Sequence, residues 1–139
     1  MNKINWGRVL LGGLVAGVII DVVEYVLNTY VLGSEMAAVT DRLGIKMISG
    51  AVPVFLALGI VMGIAAIWLY AAARPRYGAS AKTAAITAFG FWIIGYAVPN
   101  AFLVVQGLFP ARLLCIASLV GLVEIIVASI AGAAVYKEA

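Results

Sequence analysis

Residues 6–28 read WGRVLLGGLVAGVIIDVVEYVLN, a nearly unbroken apolar run that carries two acids. At about 100° per residue, Trp6, Gly13, Gly17, Asp21, Glu24 and Asn28 fall within roughly 80° of one another on a helix. Most of the remaining positions are Val, Leu or Ile. A run this long and this apolar belongs in a lipid bilayer, where an uncompensated carboxyl group costs about 2.5–3.5 kcal/mol or more. The rest of the chain is expected to supply the compensation.

Composition points the same way. Of 139 residues, 65% are hydrophobic and only 11% charged, and the mean hydropathy is +1.16. Soluble domains lie nearer half apolar and a quarter charged, so the expectation is one integral membrane domain over residues 1–139. Nine basic and six acidic residues give a net charge of +3. The basic residues sit at the ends of apolar runs and read as topology signals, not as a nucleic-acid surface. The chain has no histidine and a single cysteine, Cys115. Imidazole-held haem or chlorophyll, zinc hydrolysis and Ser-His-Asp chemistry are therefore excluded within this chain, and neither metal nor cofactor is expected. Cys115 is expected to pack as a small hydrophobe.

Four transmembrane helices are predicted, at about 7–32, 51–73, 81–105 and 112–136. Asp21 and Glu24 interrupt the first run, which is too long for a secretory signal core and reads as a retained helix. Pro53 falls in the first turn of the second span, and the Arg74-Pro75-Arg76 turn is expected to follow its end. Short connections favour an antiparallel four-helix bundle. Between the first two spans, Ser34 reads as an N-cap, Glu35 suits a first turn and Gly44 is a stop signal. A short amphipathic extracytoplasmic helix over about 34–43 follows, with Met36, Val39 and Leu43 on one face. It is read as a connector in preference to a lid over the acids.

Lys3, Arg8, Arg74, Arg76, Lys82 and Lys137 fall at one end of these helices, and Arg42, Lys46 and Arg112 at the other. That bias places both termini in the cytoplasm, with the chain in the cell (inner) membrane. Trp6, Tyr30, Trp68, Tyr70, Tyr77 and Tyr136 lie near span ends and suit an interfacial aromatic belt.

Helices in lipid associate through close backbone approach. Gly13 and Gly17, Gly59 and Gly63, and Gly121 and Gly132 are the expected packing positions, with Ala84, Ala88, Ala117 and Ala128 beside them. Counting 1.5 Å per residue from each end brings Asp21, Glu24 and Glu124 to similar depth, where no Lys or Arg of this chain lies. These three are the candidate proton- or cation-binding residues. Glu124 is expected to carry a proton at neutral pH. Asn28, Trp92, Tyr96 and Asn100 are the supporting polar and aromatic residues. Phe89 and Leu103 extend the face that carries the last three, and Pro99 is expected to kink that helix and free the carbonyl of Gly95.

Two functional classes follow. The first is a non-catalytic integral membrane subunit or assembly factor, its buried acids and Gly/Ala-lined faces meeting lipids and other membrane subunits or a second copy. The second is a small oligomeric proton- or cation-coupled transporter working through the intramembrane acids. In layout the chain is similar to the small multidrug-resistance transporters, which also have four helices and a membrane-embedded first-helix glutamate. The second first-helix acid, the fourth-helix acid and the long second loop depart from that family, and no function is carried over. The second span has no polar side chain between Ala51 and Trp68, which favours a packed bundle over a hydrated route and hence the subunit reading. A lipid-modifying enzyme ranks last, for want of a nucleophile or metal set.

Overall fold

The computed structural model describes residues 3–139, which form helices and, among the described residues, no strand. In chain order these are α1 (Trp6–Val31), the short α2 (Gly33–Leu43), α3 (Ala51–Tyr77), α4 (Ala81–Val105) and α5 (Ala111–Val135). All but α2 are long and apolar enough to cross a membrane, and the chain is a candidate multi-pass membrane protein.

Local chemistry sets the helix ends. Asn5 caps α1 by accepting from the amide of Arg8 at 3.2 Å, and Ser80 caps α4 by accepting from that of Thr83 at 3.1 Å. Gly44 and Gly78, at φ 66° and 87°, turn the chain out of α2 and α3 through backbone conformations that glycine adopts without strain.

Two expectations about ends need correction. Pro75 lies inside α3, which continues to Tyr77, because a proline in the last turn forfeits one intrahelical bond while the amide of Gly78 still reaches the carbonyl of Arg74 at 2.8 Å. Ser34 is not a cap: α2 already begins at Gly33, after Leu32, without a side-chain cap. Pro99 is expected to kink α4, and the helix runs on past it to Val105. The strain is taken up by a π turn over Ile93–Ala97, in which the amide of Val98 bonds to the carbonyl of Ile93. A second π turn, Leu27–Val31, closes α1.

Glycine determines how the long helices meet. A Cβ on Gly13 would stand 2.5 Å from the Cα of Ile64, and one on Gly17 would stand 2.7 Å from the Cα of Ile60. Numbers rise along α1 as they fall along α3, and Gly63 lies against Gly13 and Gly17 from the other side. Gly12, which the stripe of spaced glycines did not single out, makes the corresponding contact with α5. A Cβ there would meet the carbonyl oxygen of Gly132 at 2.6 Å. Adjacent glycines point about 100° apart on a helix, so Gly12 and Gly13 let one turn of α1 touch two neighbours.

The main core lies along these contacts, with Ile20, Ile67, Ala84, Ala88, Ile125 and Ala128 buried. Val39 of α2 joins Leu27, Leu32 and Leu113 in a smaller cluster, with Met36 and Leu43 packed beside it. Glu35 pairs with Arg112 at 2.7 Å and Arg42 donates to the carbonyl of Leu108 at 2.9 Å, holding α2 against the α4–α5 turn. The expected amphipathic face is therefore real, and it packs on α5.

At the other end, where both termini lie, Tyr70 and Tyr136 are each only 4% exposed and meet edge to face at 6.0 Å. They are core residues and not part of an aromatic belt, because each ring covers the other and the guanidinium of Arg74 lies 5.4 Å from the Tyr136 centroid. Trp6, Tyr30, Trp68 and Tyr77 are exposed as a belt requires. Cys115 is exposed too, contrary to its expected burial, on the outward face of α5 with Leu119 and Val123.

Gly17→Leu should lower stability by about 1–3 kcal/mol by driving α1 from α3. Gly90→Leu, where a Cβ meets nothing within 4 Å, should leave it nearly unchanged. Thermal unfolding of the two purified variants in one detergent checks the contrast.

Candidate functional site

The acids of α1 and α5 come to the same level of the structure but occupy different surroundings. Glu124 is the most enclosed, with 2% of its surface exposed. Its Oε2 accepts from the hydroxyl of Tyr96 at 2.8 Å. The ring of Tyr96 can lie there because residue 121 is glycine: a Cβ would approach its Cε1 to 2.7 Å. Gly121 is thus a cradle for an aromatic ring as much as a helix-packing position.

Glu24 stands beside Glu124, near enough for the two carboxyls to interact by hydrogen bonding as well as by charge, while Asp21 acts on Glu124 by charge. Glu24 is only partly covered. Its Oε2 accepts from the side-chain amide of Asn28 at 2.9 Å, and the same Nδ2 reaches the carbonyl of Glu24 at 2.9 Å. The other oxygen of Glu124, Oε1, is buried without a hydrogen-bond partner. A hydrogen-bond donor or a cation placed at this oxygen would supply the missing partner.

Asp21 belongs to a different interface. Its Oδ1 lies directly over Gly59 of α3, in the space a Cβ would take. Gly59 is therefore required by the carboxyl of Asp21, and Gly63 by the backbone of α1. Among the described residues no three acids or cysteines are grouped closely enough to hold a metal ion.

Trp92 and Asn100 face α5 but stay apart from the acids. The indole Nε1 of Trp92 donates to the carbonyl of Ser118 at 2.7 Å, and Asn100 Nδ2 donates to the hydroxyl of the same serine at 2.8 Å. With Tyr96 they form three polar links from α4 to α5, the middle one ending on Glu124. The π turn lies between Trp92 and Val98 and contains Tyr96, so the widened turn sets the angle at which the tyrosine leaves its helix. Phe89 is exposed and stacks on Trp92 at 5.7 Å. Ser118 was missed by sequence reasoning. Its only signal was being one of few hydroxyls in α5. Ser129, fully buried with no partner for its Oγ, was missed for the same reason.

The arrangement combines a buried acid, a second acid open at one side and a phenol that donates to the first. It can retain a proton or balance a positive charge brought from outside the chain, and it contains no nucleophile poised beside a base.

Tyr96→Phe should destabilise the chain by about 1–3 kcal/mol, since it leaves Glu124 Oε2 buried without a donor. In a Glu124→Leu background the same change should have a much smaller effect, and a double-mutant cycle of thermal unfolding in detergent checks the coupling. Comparison with protein-family models, with curated proteins and with solved structures finds no match for this chain.

Proposed function

We propose that the chain is a non-catalytic integral membrane subunit or assembly component. It is an antiparallel four-helix bundle with both termini in the cytoplasm that joins a larger membrane complex through surface left uncovered. The observation that carries this reading is the start of α3, before Gly59. Residues 52–58 are exposed without a break, and Asp21 and Glu24, on the α1 stripe they lead away from, are only partly covered. Acyl chains solvate the apolar residues but not the carboxyls. A further helix laid along α3 and across the stripe covers both, and a Lys, Arg or amide on it answers the acids. The glycine contacts are consumed inside the chain, which leaves this face as the natural place of assembly.

The juxtaposition of Glu24 and Glu124 under Tyr96 favours one alternative, a small oligomeric transporter in which the pair exchanges a proton for a cation. The terminal half of the bundle weighs against it, because backbone contacts at Gly12, Gly13 and Gly132 leave no room there for a hydrated route.

Extraction of the native protein into lipid nanodiscs, followed by mass determination, distinguishes these readings. A stoichiometric membrane partner is expected. Its recovery should fall at least fivefold with Ala57→Trp, a change at an exposed position that leaves the thermal stability of the isolated chain unaltered. A homogeneous assembly of this chain alone, with proton flux in liposomes abolished by Glu124→Gln, would overturn the subunit reading in favour of the transporter.

A further inference from the structure

At the end of the molecule that carries both termini, the last turns of α3, the start of α4 and the end of α5 enclose a cavity of about 300 Å³. Its lining includes Tyr70, Arg74, Ser80, Ala81, Ile130 and Tyr136. Arg74 is the only charged residue in that lining. The guanidinium is fixed from two sides: its face lies over Tyr136, and Nε is 3.9 Å from Glu138 Oε1. Glu138 itself lines the neighbouring groove with Lys3 and Pro75. Nη1 of Arg74 is shielded from solvent and has no hydrogen-bond partner. The side chain nevertheless keeps 21% of its surface exposed, and an arginine fork held in place is matched by an anion that presents several oxygens.

The other groups around the cavity have the same polarity. The hydroxyl of Tyr136 accepts from the amide of Asn5 at 3.3 Å, so its own proton is available. Ser80 is the N-cap of α4, and the amides of Ala81 and Lys82 precede the first intrahelical bond, made by Ala84 to the carbonyl of Ser80 at 3.2 Å. The start of a helix carries a partial positive charge that adds to that of Arg74. Position adds a third argument, since the cavity opens where long apolar helices end, at the level phospholipid phosphates occupy in a bilayer.

We infer that this cavity binds a phosphate group, held by the Arg74 guanidinium with the Tyr136 hydroxyl and the first amides of α4. A phospholipid headgroup and free inorganic phosphate share this chemistry, and both enter the test.

The full-length chain is placed in phosphatidylcholine nanodiscs, with and without phosphatidylglycerol, and bound lipid is counted by native mass spectrometry. Inorganic phosphate is titrated separately in phosphatidylcholine nanodiscs and read as a rise in unfolding temperature. Arg74→Gln should reduce retained phosphatidylglycerol, or the response to phosphate, at least tenfold. Arg76→Gln, at the same end but outside this cavity and 5.9 Å from the Tyr77 ring, should change either by less than twofold. Ala79→Trp, on the exposed rim of the cavity, keeps Arg74 with its aromatic contacts and should block binding as strongly, so it decides the matter if Arg74→Gln does not fold. Loss confined to phosphatidylglycerol identifies a lipid site, and loss confined to inorganic phosphate a soluble anion. Equal losses for Arg74→Gln and Arg76→Gln, or unchanged binding of both probes in Ala79→Trp, would overturn the inference.

Discussion

Within one turn of α1, Gly12 touches the backbone of α5 and Gly13 that of α3. Contact at this range brings many backbone atoms within van der Waals distance, and the summed dispersion helps hold the helices together. It also fixes rotation. Once Gly13 and Gly17 face Ile64 and Ile60, Asp21, one turn further on, falls over Gly59, and Glu24 on the same stripe stands beside Glu124 of α5. The acid geometry is a consequence of where glycine allows α1 to be approached from both sides.

Depth and rotation were not equally legible in the chain. Depth follows from counting residues at a fixed rise. Asp21, Glu24 and Glu124 could thus be brought to one level, and the four long helices bounded to within a few residues, from hydropathy alone. Which neighbour each helix face meets depends on pairwise packing that no single helix encodes. The spaced glycines announced close approach without naming its partner. Gly59 and Gly121 looked like the others, yet one accommodates a carboxyl and the other an aromatic ring. Trp92 and Asn100 were found as a polar face, while their shared acceptor, Ser118, was hidden because one of its two accepting groups is a backbone carbonyl. Tyr70 and Tyr136 were misjudged because nearness to a helix end does not say whether a ring faces lipid or a neighbour.

Both π turns lie in the halves of α1 and α4 remote from the termini, one just beyond Glu24 and the other around Tyr96. Each adds a residue to a turn and so shifts the face of everything beyond it. In α1 the shift carries the chain into Leu32 and α2. In α4 it reconciles Pro99 with a continuous helix and lets Trp92, Tyr96 and Asn100 all address α5.

The separation of Glu24 from Glu124 along the chain bears on how such a protein is made. Its first helix leaves the ribosome carrying two carboxyls, and the partner of one of them is encoded a hundred residues later. At about 5–20 residues per second, roughly 5–20 s pass before α5 exists to receive that helix. For that interval α1 lacks the packing that α5 supplies at Gly12 and beside Glu24. The fourth long helix is therefore the step that commits the first to its final place.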